Sequence, residues 1–93
     1  MSSSTQARRA ALLGTNPRFR LYLDNRKRQR HQLTAEQLPD GTHSEEDAAD
    51  AIRLACGIAS RRELDTNDDA RRMLDRIVAD YQAWERRQAR GKV

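Results

Sequence analysis

Motifs that gather residues to move protons or hold metals are lacking in this 93-residue chain, whereas residues able to hold anions are abundant. There are two histidines. His31 sits in a run of arginines, and His43 lies in a polar loop just ahead of Ser44. Neither has a cysteine or carboxylate at metal-ligand spacing, and no glycine-rich phosphate loop or serine elbow is present. Surface or capping roles are therefore expected for both, with no enzymatic activity, no metal and no cofactor. The six acids between Glu36 and Asp50 include three, Glu45, Glu46 and Asp47, that follow Ser44 as the first turn of a helix would. Their expected task is to complement the helix dipole rather than to bind a cation. The single cysteine, Cys56, allows no intrachain disulfide and lies on a small-residue face, where an inert packed thiol is expected.

The anion-holding residues are concentrated. Residues 1–31 carry eight Arg/Lys and one acid, whereas residues 32–52 carry six acids and no Arg/Lys. Arg18, Arg20, Arg26, Lys27, Arg28 and Arg30 fall on one predicted helix, opposed there only by Asp24. Such a helix suits nucleic-acid phosphates, with Tyr22 able to stack on a base if it were exposed. The competing reading is a basic face that answers the acidic segment of the same molecule. Arginine outnumbers lysine sixteen to two, which favours planar, multi-donor contacts with phosphate or carboxylate.

These residues must be positioned by helices, because no stretch alternates as a strand would. Asn16 followed by Pro17 is a strong start signal for a helix over 17–32, on which Phe19, Tyr22, Leu23 and the stem of Arg26 share a face. Ser44 begins a second over 45–56, stopped by Gly57, with Ile58 folding back toward Ile52. The third, over 67–89, carries the longest apolar stripe: Ala70, Met73, Leu74, Ile77, Val78, Tyr81 and Trp84. Its opening places Asp68 for an ion pair with Arg72. Shorter turns are expected over 7–13, ending at Gly14 and either docked through Leu12 and Leu13 or frayed, at the capping-box pattern Thr34–Gln37, and at Ser60–Leu64. The fold class is all-α, an irregular bundle of three principal helices in one domain over 7–89, with a flexible lead 1–6 and a basic tail 90–93. A DNA-reading helix-turn-helix is disfavoured. Arg53 stands where a small packed residue belongs, and the second segment breaks at Asp65–Asn67.

No apolar run approaches a membrane span, the N-terminus has no apolar leader segment, and a bacterial cytoplasmic setting with no membrane partner is expected. Aromatics are only 4% of the chain, and thirteen alanines thin the core, so a homodimer or a bound partner would add stability. Leu54 and Leu21 lie off the buried stripes of their helices and are either protein contacts or residues wrapped by the bundle with its N-terminal turn. Trp84, beside Arg86 and Arg87, is a candidate anchor of the kind that dominates interfaces, with core packing as its default reading.

The run Ile52–Ile58, then Ser60–Asp65, then the Met73–Trp84 stripe, with Leu38–His43 ahead of it, resembles small helical accessory proteins encoded by bacteriophages and prophages. The resemblance spans about residues 16–88 and supplies no catalytic residues. It implies a role in replication, recombination or host takeover. Two functions follow as expectations: an accessory protein that binds nucleic acid or its processing complex through the basic helix, or an inhibitor or adaptor that docks on a host protein such as a defence or recombination complex.

Overall fold

The computed structural model describes residues 5–91, and these form four α-helices: α1 (Thr5–Thr15), α2 (Pro17–His31), α3 (Glu45–Cys56) and α4 (Asp68–Gly91). A 3-10 turn, Arg61–Asp65, joins α3 to α4. The class is all-α, with no strand among the described residues. At about 1.5 Å per residue, the 24 residues of α4 span roughly 36 Å in a molecule 43 Å along its longest axis.

The start and stop signals act as their chemistry dictates. Asn16 Oδ1 accepts from the Arg18 amide at 2.9 Å, and Pro17 takes the first helical position, where its missing N–H costs nothing. Ser44 and Asp47 form a reciprocal capping box, as do Thr34 and Gln37 around a single turn. Gly57 adopts φ +68°, and the Ile58 amide then reaches back to the Arg53 carbonyl at 3.0 Å, burying Ile58.

Several local expectations are corrected. The N-terminal run is an eleven-residue helix rather than a short turn, so the principal helices number four. Gly14 does not end it. Gly14 is buried in its last turn, where α1 approaches α3 closely enough that an added Cβ would lie 3.9 Å from Ala48. This helix docks through Ala10, Leu13 and Gly14, while Leu12 stays 64% exposed. Its first turn is tied from a distance: the Gln6 amide donates to Asp65 Oδ1 at 2.8 Å, satisfying one of the orphan donors that a short helix exposes. Thr5 and Gln6 therefore belong to the helical domain. Residues 1–4 of the expected lead and 92–93 of the expected tail lie outside the described residues, and α4 continues through Arg90. Finally, Asp68 and Asp69 pair at i,i+3 with Arg71 and Arg72, at 3.5 and 3.2 Å, rather than Asp68 at i,i+4 with Arg72.

The core places all four aromatics of the chain in one cluster between α2 and α4. Phe19, Tyr22, Tyr81 and Trp84 have neighbouring ring centroids 5.4–6.2 Å apart, mostly edge to face. Each ring removes ~150–250 Å² from water, roughly 4–6 kcal/mol before entropic costs. Exposed ion pairs contribute about 0–1 kcal/mol. The rings therefore set how α2 lies on α4, and the charges between those helices adapt to that arrangement.

Candidate nucleic-acid and partner interface

The helix α2 carries all six cations of the expected phosphate-binding face, but the fold divides them. Arg18 Nε donates to Glu85 at 2.8 Å, and Arg26 lies 3.6 Å from Asp80, both carboxylates being supplied by α4. Arg28 folds under the following loop. Its guanidinium donates to the Leu38 carbonyl at 2.8 Å and pairs with Asp40 at 2.9 Å, with the side chain only 16% exposed. Arg20 is half-buried, its Nε sealed from solvent without a hydrogen-bond partner. Lys27 and Arg30 are exposed and have no carboxylate at ion-pair distance among the described residues.

The acidic segment 36–50 thus supplies one direct partner to the basic helix, Asp40, while α4 supplies two. Sequence polarity suggested the reverse, since α4 as a whole carries more basic than acidic residues. Around Lys27 the field of the acids is still felt. The Asp47 carboxyl is held below its usual range, chiefly by the Ser44 amide and hydroxyl, with smaller contributions from His43 and Lys27.

Tyr22 and Trp84 are not available to a ligand. Tyr22 is buried and donates its hydroxyl to Asp80. Its pKa is pushed up to about 12, first by burial and then by that hydrogen bond and the Asp80 charge. Trp84 is 8% exposed and packs on Tyr22 and Tyr81, so the core reading holds and the candidate role as a partner anchor is corrected: the indole closes the core. Its neighbours Arg86 and Arg87 are exposed.

Leu54 has the opposite fate. It is 85% exposed on α3, at the edge of a hollow of about 470 Å³ between α2, α3 and α4. Phe19, Tyr22, Ile52, Met73 and Ile77 line this hollow, and Arg26 and Arg30 stand on its rim. Leu21, the other off-stripe leucine, packs against the core. Cys56 is half-buried, and burial raises its thiol pKa, as expected of an unreactive thiol.

Asp24 is the residue whose importance the sequence did not reveal. It is fully buried and accepts from three successive loop residues: the Gly41 amide at 2.7 Å, Thr42 Oγ1 at 2.5 Å and His43 Nδ1 at 2.5 Å. Burial alone would raise its pKa, but the hydrogen bonds from Thr42, His43 and Gly41 together outweigh burial and hold the carboxyl below its ordinary value. His43 is consequently a half-buried anchor rather than a surface or capping residue, while His31 is exposed. The only local hint was a lone acid among arginines. The donors arrive from seventeen to nineteen residues away.

Among the described residues, no three His, Cys, Asp or Glu side chains gather as a metal site requires, and no helix is long and apolar enough to cross a membrane. No protein-family profile, curated protein or solved structure matches this chain.

Proposed function

We propose that this chain is a non-enzymatic accessory module, of the bacteriophage type and working in a bacterial cytoplasm, that holds nucleic acid through phosphate contacts at the C-terminal half of α2. The observation that carries the reading is the exposure of Lys27 and Arg30, about one turn apart on α2, with no carboxylate at ion-pair distance among the described residues. The reading is narrower than six equivalent cations, because Arg18, Arg26 and Arg28 are engaged internally. It is also non-specific in character. All four aromatics are in the core, so base stacking is closed and backbone electrostatics remain.

The test is a salt titration of duplex binding by the wild-type chain and by a Lys27→Gln, Arg30→Gln double variant. Two lost phosphate contacts lower the slope of log K against log salt by about 1.8, at about 0.9 per contact on duplex DNA. An unchanged slope and affinity in the variant would remove the proposal.

A second reading is supported by Leu54: an inhibitor or adaptor whose host-protein partner inserts apolar side chains into the hollow beside it, against Arg26 and Arg30. Capture from nuclease-treated bacterial lysate separates the two. A stoichiometric protein retained by wild type and lost on Leu54→Glu favours the second reading, and recovery of nucleic acid alone from untreated lysate favours the first.

A further inference from the structure

A second concentration of arginines lies away from α2. At about 100° per residue, Arg53 stands about 160° round α3 from Ala51, which lines the Leu54 hollow, so the two flanks of α3 face different surfaces. On the Arg53 flank, Arg8 of α1 and Arg61 and Arg62 of the 3-10 turn join it around a cleft of about 400 Å³. The α1 and loop residues between them are alanines, Ala7, Ala11 and Ala59, whose short side chains leave the space open.

The nearby carboxylates already have partners, two of them on residues that line the cleft. Glu63 turns its Oε2 to the Ala59 and Ser60 amides, both at 2.8 Å. Asp65 accepts from the Gln6 amide, and Asp50 engages Arg53. Arg8, Arg61 and Arg62 are left with no carboxylate at ion-pair distance among the described residues. Glu45 and Glu46 border the adjoining hollow that Arg53 and Arg61 also line, but neither glutamate lines the cleft itself. Ser60 Oγ accepts from the Arg62 amide at 3.4 Å, so its hydroxyl proton is still free to donate to an anion.

We infer that this cleft is a phosphate-binding site, taking a phosphate or pyrophosphate group between the Arg8, Arg61 and Arg62 guanidiniums. Cations gathered this way repel one another, and a multivalent oxyanion relieves that repulsion while matching the forked donors of arginine. The phosphate has two sources with the same chemistry: the backbone of a nucleic acid, or the free polyphosphate of a nucleotide. The site is independent of α2 and stands or falls apart from Lys27 and Arg30.

The experiment titrates the full chain with pyrophosphate, followed by backbone amide NMR, and separately with a short single-stranded oligonucleotide. Saturable shifts are expected at the Ala7, Ala11, Ala59 and Ser60 amides. An Arg61→Gln, Arg62→Gln variant should bind pyrophosphate about tenfold more weakly, as two partly exposed ion pairs imply, and Arg72→Gln, an exposed arginine paired with Asp69 away from the cleft, should match wild type. Arg8→Gln, on a different element, gives the same readout should the double variant melt early. A parallel loss of oligonucleotide affinity identifies the nucleic-acid backbone as the source, and its retention identifies a free polyphosphate. Absence of saturable shifts at the cleft amides, or wild-type pyrophosphate affinity in both the Arg61/Arg62 and Arg8 variants, overturns the inference.

Discussion

Replacing Asp24 should unfasten the loop between α2 and α3. In Asp24→Ala the Gly41 amide, Thr42 hydroxyl and His43 ring lose their shared acceptor, and α2 gains a cavity where a fully buried side chain stood. Removing one side of a buried charged network costs about 3–5 kcal/mol. A 93-residue domain has a total stability of ~5–14 kcal/mol. The substitution therefore removes roughly a fifth of the total or more, and at about 4–8 °C per kcal/mol the melting temperature falls by at least ~12 °C. Asp24→Asn keeps the shape but turns an amide NH₂ toward a cluster of donors, so its loss should be smaller, roughly 2–3 kcal/mol.

The pH dependence gives an independent check. The folded-state pKa of Asp24 lies below the unfolded value near 3.8, so its contribution is fully present above that value and is lost as pH falls through the folded pKa. The urea midpoints of wild type and Asp24→Asn should be well separated near neutral pH and converge as the pH drops below the ordinary carboxylate range. A neutral-pH melting point of Asp24→Ala within experimental error of wild type would refute the reasoning, as would a gap to Asp24→Asn that does not narrow in acid.

Other substitutions separate packing from binding. Gly14→Ala should stabilise by about 0.5–1 kcal/mol in a denaturant titration, since the added methyl meets Ala48 at an ordinary 3.9 Å and the helix gains propensity. Gly57→Ala should instead lose about 1 kcal/mol, because its φ of +68° strains any side chain. Arg28→Gln should lower the urea midpoint by about 1–2 kcal/mol equivalent through the lost Leu38 and Asp40 contacts, with little change in the salt dependence of nucleic-acid binding. Leu54→Glu should leave the melting temperature within about 2 °C of wild type, since an 85% exposed side chain contributes little to the fold.

The helices of this protein were legible in its sequence because their signals are local. Asn16–Pro17, Ser44 with its three acids, Gly57, and the three-four spacing from Ala70 to Trp84 each act within a few residues, and each boundary fell within about two residues of expectation. Tertiary structure decided what lay between helices. It made α1 a full helix by lending it the Asp65 carboxylate and a close seat on α3. It divided the six cations of α2 according to which carboxylates the aromatic cluster brought within reach. It left Leu54 exposed and buried Trp84, and it joined Arg8 to Arg61 across more than fifty residues of chain. A helix cap is a contact between near neighbours and can be read from spacing. The partner of a charge depends on which helices pack face to face, and that is set by the shape of the whole core.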